Sequence, residues 1–204
     1  MYKKIVIVFE GIESSGKTSH SQFVSKYLKK KKINHLLIRE PGGSTNSEKI
    51  RKLLLQNSSN FDKKTDLLLY LASRNENIEK LKNYYKKKII LIDRFVDSTI
   101  AYQHFGQGIS LSLIKNINKH IIGNFKINFT FLNIVSKKNM ILRLKKRKKL
   151  NRYDKFNSSF YQKVQNGFIK IAKKDKKKYQ IINSNKDIKF NKEIIINKIN
   201  KLIK

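Results

Sequence analysis

Near its N-terminus the chain reads Ile5-Val6-Ile7-Val8-Phe9-Glu10-Gly11-Ile12-Glu13-Ser14-Ser15-Gly16-Lys17-Thr18. The apolar run predicts a buried β-strand, and an amphipathic helix is predicted directly after the loop. The last eight residues match G-x-x-x-x-G-K-[ST], a pattern whose glycines let backbone amides point at phosphate oxygens. Lys17 can reach the terminal phosphates and Thr18 can offer a hydroxyl to Mg²⁺, while the helix dipole favours an anion. The sequence therefore predicts a site for a nucleoside triphosphate, formed by Gly11, Ile12, Glu13, Ser14, Ser15, Gly16, Lys17 and Thr18.

Length and composition limit the class of protein. The 204 residues suffice for one domain with a substantial core, so we expect a single domain over residues 1–204. The chain has no cysteine, which excludes disulfides and thiolate metal sites. No signal peptide is recognised, and no run approaches the roughly 20 apolar residues of a membrane span. We expect a cytoplasmic protein without a membrane partner.

The formal net charge of +33 is a feature shared with nucleic-acid-binding proteins. However, the lysines are scattered over the whole chain among Asn and Ile, and all three residue types have A/T-rich codons. RNA-binding modules also interleave aromatic side chains with basic ones, and no such cluster is present. We therefore expect no specific nucleic-acid partner, only the weak, salt-sensitive binding that charge alone produces.

The arginines stand out against this background, because only seven of the 47 basic residues are arginine. An arginine kept in so lysine-rich a chain suggests a need for its planar fork, which makes bidentate contacts to phosphates or bases. A structural ion pair is the alternative for each of them. The seven are Arg39, Arg51, Arg74, Arg94, Arg143, Arg147 and Arg152.

Short β-rich runs alternate with helical ones, which predicts a parallel sheet built from βαβ units. The predicted strands are residues 4–9, 35–38, 89–92, 127–132 and 179–182. The predicted helices are residues 17–31, 46–57, 63–85, 97–104, 110–121, 137–147, 158–174 and 189–203. In the second helix, the apolar residues Ile50, Leu53 and Leu54 share one face with Asn57 at the helical period. The fold class is α/β, with a five-stranded parallel sheet flanked by helices in three layers, and ligands are expected beyond the carboxyl ends of the strands.

Two polar turns follow predicted strands. The first, Arg39-Glu40-Pro41-Gly42-Gly43-Ser44, contains the only proline of the chain. The second begins with Asp93, which can hold Mg²⁺ directly or through water, and Arg94, which is placed for a phosphate. An ordinary strand-to-helix loop is the alternative interpretation of the first turn.

Two further groups lie on predicted helices. Tyr70 and Arg74 are four residues apart and share a face, which suits a planar base, although a half-buried tyrosine beside a surface ion pair would look the same. Arg143 and Arg147 are also four apart, with Arg152 beyond them. A mobile lid over residues 143–155 that closes on transferring phosphates would use them, and a solvated basic face is the alternative.

Together these motifs resemble those of the bacterial thymidylate kinases, which are nucleoside monophosphate kinases with the P-loop NTPase fold. The resemblance runs from about Ile5 to Ala172. Its motifs are Phe9-Glu10-Gly11-Ile12-Glu13, Arg39-Glu40-Pro41-Gly42-Gly43, the helix ending in Arg74, Asp93-Arg94 with Ser98-Thr99-Ile100-Ala101-Tyr102-Gln103, and the lid.

The resemblance implies that MgATP phosphorylates dTMP in a homodimeric enzyme. It implies that Arg39, Arg51 and Arg94 hold the acceptor phosphate. Arg74 and Gln103 would read the thymine edge beside Tyr70 and Thr99, and Tyr102 would crowd the sugar 2′ carbon. Glu13 would reach the 3′-hydroxyl or the metal, which Thr18 and Asp93 bind. The catalytic residues it implies are Lys17, Arg94, Arg143, Arg147 and Arg152.

The chain departs from the family pattern at three positions. Phe95 stands where Tyr or His is usual, Phe156 where a second acid is common, and Asn183 where Asp is frequent. Two alternatives remain: a kinase for another deoxynucleotide, and an inactive P-loop protein that binds nucleic acid. The set Tyr70, Arg74 and Gln103 argues against the first, and intact Lys17 and Asp93 argue against the second.

Overall fold

A computed structural model describes residues 5–85 and 87–204 of the chain. Its five strands form one parallel sheet in the order β2-β3-β1-β4-β5. They are β1 (Val6–Glu10), β2 (His35–Arg39), β3 (Ile89–Asp93), β4 (Phe129–Ile134) and β5 (Tyr179–Asn183). The predicted α/β class is confirmed, and residue 4 of the first predicted strand lies outside the described residues.

Eight α-helices are described around this sheet. They are α1 (Lys17–Lys30), α2 (Thr45–Leu55), α3 (Lys63–Tyr85), α4 (Val96–Thr99), α5 (Leu111–Ile122), α6 (Lys137–Lys145), α7 (Ser158–Lys174) and α8 (Ile188–Ile203). A π-helical segment, Ile100–Gly106, continues α4, and a 3₁₀ helix covers Arg152–Lys155. In the described ranges, no helix combines the length and the apolar character that crossing a membrane requires.

Two predicted helices extend too far. The second ends at Leu55 because Gln56 is extended, so Asn57 lies beyond the helix. Leu53, assigned to its apolar face, is 40% exposed. The sixth ends at Lys145, so Arg147 does not continue the helix of Arg143. The run of like charges from Lys145 to Lys149 disfavours a further helical turn.

Both faces of the central strand are buried, which gives the molecule its three layers. Ile7 and Phe9 pack in a cluster with residues of α1 and α8, such as Val24 and Ile195. On the opposite face, Val6 and Val8 belong to a cluster that includes Ile78 of α3. Burial on two faces is the reason why β1 reads as a continuous apolar run rather than an alternating one.

The strand register places the polar turns at one edge of the sheet. Phe9 of β1 pairs with Asp93 of β3, and Arg39 of β2 pairs with the same residue. Asp93, expected to begin the turn after the strand, is therefore the last residue of a strand beside β1. The loop that follows Glu10, the turn after Arg39 and the turn after Asp93 therefore open at the same edge.

Candidate active site

The loop Gly11–Thr18 connects β1 to α1 and requires glycine at two positions. Gly11 has φ +142°, and a Cβ there would lie 2.3 Å from the carbonyl oxygen of Asn133. Gly16, with φ +90°, immediately precedes α1. Lys17 begins the helix, and its Nζ donates to the Ile12 carbonyl oxygen at 3.1 Å. The loop and the N-terminus of α1 thus form a site suited to an anion.

Three charged groups meet beside this loop. Arg94 pairs with the carboxylate of Glu13 and donates to the Gly11 carbonyl oxygen at 2.9 Å. Lys17 Nζ lies 3.4 Å from Glu13 Oε2. Burial opposes ionisation of Glu13, but Arg94 and Lys17 outweigh it and lower the pKa of Glu13 to about 2. Burial, followed by the charge of Arg94, lowers the pKa of Lys17.

Asp93 and Thr18 form a pair of oxygen ligands. Thr18 Oγ1 donates to Asp93 Oδ2 at 2.6 Å, although the two residues are 75 positions apart. The other carboxylate oxygen, Asp93 Oδ1, is buried without a hydrogen-bond partner in the described part of the chain. Residues 5–85 and 87–204 contain no group of three or more His, Cys, Asp or Glu suited to a metal. One carboxylate and a hydroxyl still fit Mg²⁺, which takes its remaining ligands from phosphates and water.

A cavity at the carboxyl edge of the sheet, here called the arginine cavity, contains every residue predicted to bind the acceptor. These are Glu13, Arg39, Arg51, Tyr70, Arg74, Arg94, Thr99, Tyr102 and Gln103. The cavity is also lined by Leu55, Asn151 and Tyr153, which the sequence analysis did not single out.

The outer arginines of this cavity are held by the turn after β2. Arg39 contacts both carboxylate oxygens of Glu48, at 3.0 and 3.2 Å, and its side chain is 54% exposed. Arg51 Nη1 donates to the Pro41 carbonyl oxygen at 2.7 Å. Glu48 also accepts from the Gly43 amide at 2.9 Å, so the turn and both arginines form one unit.

Arg74 lies at the buried end of the arginine cavity. Its Nε donates to Glu40 at 2.8 Å, Nη1 to Asn118 at 2.5 Å and Nη2 to Thr99 at 3.1 Å. Because a guanidinium has five N–H groups, two donors remain beyond these three bonds. Gln103 is also buried, and its Nε2 has no hydrogen-bond partner among the residues that the structure describes. These donors fit a planar polar ligand.

Aromatic rings form another wall of the arginine cavity. Tyr153 packs edge-on against Tyr70 and Tyr102, with ring centroids 5.8 and 6.2 Å apart. The guanidinium carbon of Arg94 lies 5.2 Å from the centre of the Tyr102 ring. The wall thus links the 3₁₀ helix Arg152–Lys155 to the cation that pairs with Glu13.

A second cavity, here called the P-loop cavity, lies on the other side of Lys17. Its lining includes Ser14, Gly16, Lys17, Thr18, Arg143, Arg147, Ser184, Lys186, Ile188 and Asn191. Arg143 donates to the carbonyl oxygens of Ser14 at 3.1 Å and Ser184 at 2.5 Å, which bridges the loop to the end of β5. Three residues, Lys17, Thr18 and Arg147, line both cavities.

Four predicted site residues, Gly11, Ile12, Ser15 and Arg152, line neither cavity. Arg152 lines neither cavity, because its Nε donates to the Leu54 carbonyl oxygen at 2.8 Å and its Nη2 pairs with Asp66. Phe156 stacks on Phe160 with centroids 4.1 Å apart, which gives this departure from the family pattern a packing role. The Asn183 side chain accepts from Asn185 and does not line the P-loop cavity.

Glu10 is a further buried residue near the site, and no role was predicted for it. This residue is 1% exposed and accepts from the backbone amides of Phe95 and Ser98, at 2.8 and 3.1 Å. The feature of the sequence that could have identified Glu10 is a charged residue at the end of an apolar strand. Its partners could not be read from the sequence because they lie more than 80 positions away.

The parallel sheet, the P-loop and two cavities that meet at the P-loop lysine define a P-loop nucleotide kinase. The family model "Thymidylate kinase" matches residues 9–195. The chain therefore belongs to the thymidylate kinase family, which makes it a transferase of the kinase class.

Individual relatives agree over most of their length. A thymidylate kinase of Thermosipho africanus is 39% identical over 169 residues, covering 82% of this chain and 84% of that protein. One of Kosmotoga olearia is 33% identical over 178 residues, covering 86% of both. The crystal structure of thymidylate kinase from Ehrlichia chaffeensis matches with a TM-score of 0.78 at 34% identity, covering 97% of this chain and 98% of that one.

Proposed function

We propose that this enzyme transfers the γ-phosphoryl group of ATP to dTMP, giving dTDP and ADP, with Mg²⁺ as cofactor. The observation that carries the proposal is the junction of the two cavities. Lys17, Thr18 and Arg147 line both, so a donor in the P-loop cavity and an acceptor in the arginine cavity would meet there. Phosphoryl transfer needs donor and acceptor to meet in this way, because the attacking oxygen and the leaving oxygen must lie roughly in line.

In the P-loop cavity, the loop amides and Lys17 would hold the ATP phosphates, and Arg143 would cover them. Thr18 and Asp93 would hold Mg²⁺, directly or through water, since their oxygens lie 2.6 Å apart and one Asp93 oxygen has no other partner among the described residues. The ion would neutralise charge on the transferring phosphates.

In the arginine cavity, the acceptor phosphate would lie near Arg39, Arg51 and Arg94. The thymine edge would receive donors from Arg74 and Gln103, two buried side chains with N–H groups to spare. Tyr102 would contact the sugar, because its ring lies beside Arg94 and therefore beside the phosphate.

The chemistry needs no covalent intermediate and no side-chain base. Lys17, Arg94 and Arg147 are positively charged and lie where charge accumulates as the phosphoryl group moves. Their positions are set in advance by Glu13, which contacts Lys17 and Arg94, and by Asp154, which accepts from Arg147 at 2.5 Å. Preorganised charge of this kind is the main source of acceleration in phosphoryl transfer.

The chain would act as a single domain with a lid over residues 143–155, as a homodimer, and in the cytoplasm, where ATP and dTMP are present. The homodimer follows from the family resemblance alone.

The test is an ADP-release assay at fixed ATP with a panel of nucleoside monophosphates. We expect dTMP to give the highest kcat/KM. A Lys17→Ala preparation should release far less ADP, which would show that the ADP comes from this enzyme. A higher kcat/KM for another deoxynucleotide would identify that nucleotide, instead of dTMP, as the acceptor. No ADP release with any acceptor would contradict the kinase assignment.

A further inference from the structure

The 3₁₀ helix Arg152–Lys155 is bound to the helices that carry the acceptor-binding residues. Arg152 Nε donates to the carbonyl oxygen of Leu54, near the end of α2, at 2.8 Å. Its Nη2 pairs with Asp66 in the first turn of α3. The guanidinium also lies over the rings of Phe61 and Tyr153, at 5.5 and 5.0 Å. Arg152 therefore joins the lid segment to α2 and α3 rather than facing either cavity.

Asp66 is the common partner of this attachment. One of its carboxylate oxygens accepts from Arg152 and the other from the Tyr153 hydroxyl, the latter at 3.0 Å. The side chains of Asp66 and Arg152 are 4% and 14% exposed. Both oxygens of a buried carboxylate are thus satisfied by two successive residues of the lid segment, which is an arrangement with high geometric specificity.

Tyr153 transmits this attachment to the arginine cavity. Its ring lines the cavity between Tyr70 and Tyr102. Its carbonyl oxygen accepts from the Tyr161 hydroxyl at 2.5 Å, so α7 holds the backbone while Asp66 fixes the end of the side chain. Without the Asp66 bond, the hydroxyl end of the ring would lose its acceptor, and only ring packing would hold it at the cavity wall.

We propose that Asp66 is a positioning residue, which clasps Arg152 and Tyr153 so that the lid segment completes the wall of the acceptor site. The inference rests on the proposed function, because dTMP is the ligand assigned to the arginine cavity. Acceptor binding and ordering of the lid segment are then linked, and by reciprocity each favours the other. Arg152 acts in this clasp and not on the transferring phosphate.

The first experiment measures binding of each substrate separately by calorimetry. Asp66→Ala should weaken dTMP binding by about tenfold or more, the effect of losing a hydrogen bond to a charged group. Binding of ATP in the absence of dTMP should stay unchanged, and Asp66→Glu should restore part of the dTMP affinity. Glu79→Ala is the matched control, because Glu79 lies on the same helix in an exposed pair with Lys82.

A purely structural role predicts a different result. Affinities for dTMP and ATP would then fall together as the melting temperature falls, and this outcome would overturn the proposal, as would unchanged dTMP affinity. If Asp66→Ala does not fold, Tyr153→Phe removes only the hydroxyl bond and should weaken dTMP binding by about two- to tenfold. A Tyr153→Phe variant that binds dTMP as the wild type does would count against the clasp.

Hydrogen exchange separates failure of the clasp from failure of the proposed function. Without any ligand, Asp66→Ala should accelerate amide exchange in residues 151–156 relative to wild type and to Glu79→Ala. In the wild type, dTMP should protect the same amides. If dTMP does not bind the wild type, the proposed acceptor is wrong, whereas equal exchange in the Asp66→Ala and wild-type proteins overturns the clasp.

Discussion

Lys17 is one of the three residues that line both cavities, and its surroundings make its charge effective. It is 5% exposed and contacts the Ile12 carbonyl oxygen and the carboxylate of Glu13. At so buried a position, a cation would stabilise charge that develops on the transferring phosphoryl group more strongly than it would in water.

We expect Lys17→Ala to lower kcat by roughly 10²-fold or more, by analogy with loss of one preorganised electrostatic donor. The far-ultraviolet circular dichroism should be retained, because Glu13 keeps its pair with Arg94. Lys26→Ala, at an exposed position of the same helix, is the control and should keep wild-type turnover. A Lys17→Ala enzyme with more than about a tenth of wild-type turnover would refute the P-loop assignment.

Arg74 connects the buried end of the arginine cavity to three parts of the fold. Its fork reaches Glu40, Asn118 and Thr99 at once, which a lysine ammonium cannot reproduce in one plane. We expect Arg74→Lys to raise KM for dTMP by roughly tenfold or more while KM for ATP changes little. Steady-state kinetics with each substrate varied in turn test this, and an unchanged KM for dTMP would place the base elsewhere.

Under the proposed function, Tyr102 would exclude a ribose 2′-hydroxyl. Its ring is 5% exposed, packs on Tyr153 and Phe168, and lies against Arg94. We expect the wild type to discriminate strongly against the ribonucleotide analogue of dTMP. Tyr102→Ala or Tyr102→Gly should relieve the crowding and so reduce the ratio of kcat/KM for dTMP to kcat/KM for the ribonucleotide analogue. The activity on dTMP should fall as well.

The comparison uses kcat/KM for both acceptors, because only that ratio measures discrimination. Tyr102→Phe is the control, since it keeps the ring and loses only the hydroxyl that lies 3.5 Å from Arg94. An identical discrimination ratio in Tyr102→Ala and wild type would leave Tyr102 as a core residue without a role in sugar selection.

Among the elements, the start of α4 depends on a pair of carboxyl groups. Glu10 accepts from the Phe95 and Ser98 amides and from the Ser98 hydroxyl, which in turn accepts from Arg94. Asp97 accepts from Tyr179 of β5 at 2.8 Å. Burial, and then the charge of Asp97, raises the pKa of Glu10 to about 7, and burial raises that of Asp97 to about 6.

A raised carboxyl pKa stabilises the fold at low pH. The contribution of Glu10 to the free energy of unfolding is complete below pH 4.5, the pKa of this group in the unfolded chain. It is lost as pH rises through about 7. The slope for one proton is at most about 1.4 kcal/mol per pH unit. Glu13 acts in the opposite direction, but its contribution is lost only as pH falls from 4.5 towards about 2.

We therefore expect the free energy of unfolding, measured in urea, to fall less steeply between pH 4.5 and about 7 in Glu10→Gln than in wild type. Glu79→Gln is the control, because Glu79 is exposed and should leave the slope unchanged. Parallel pH profiles for Glu10→Gln and wild type would show that Glu10 does not carry the pH dependence.

The sequence predicted the elements that local pattern determines. The five strands were found because burial on both faces leaves nearly continuous apolar runs, and the P-loop because its glycines are locally required. Helix ends were less predictable. The segment predicted as one helix over 97–104 is a short α4 followed by the π-helical Ile100–Gly106, and no residue pattern in it announces the change.

Pairings between distant residues could not be predicted. The partner of Arg74 on α5, Asn118, is 44 positions away, and Asp66 is 86 positions from Arg152. Such contacts depend on how helices pack across the sheet rather than on spacing within one element. The identity of an arginine therefore did not reveal its partner: Arg152 pairs with Asp66 and donates to the Leu54 carbonyl oxygen.

For the whole molecule, the dominant property is the net charge of +33. Many of the lysines cannot be paired, because the chain has only 14 acidic residues. Mutual repulsion of exposed charges destabilises a compact state and is screened by salt. The fold is thus stabilised by its core against a repulsion that depends on the solvent.

We expect the melting temperature to rise as NaCl is increased from about 0.01 to about 0.5 M, because the screening length shortens over this range. Each kcal/mol of relieved repulsion should raise Tm by roughly 2–4 °C for a chain of this size. Replacing the exposed Lys176 and Lys177 by Glu lowers the net charge away from both cavities, so the variant should melt higher at low salt and respond less to NaCl. A wild-type Tm that is flat or falls with NaCl would mean that the positive charges are already compensated in the folded state, and that specific pairs such as Arg152–Asp66, rather than bulk repulsion, govern its electrostatics.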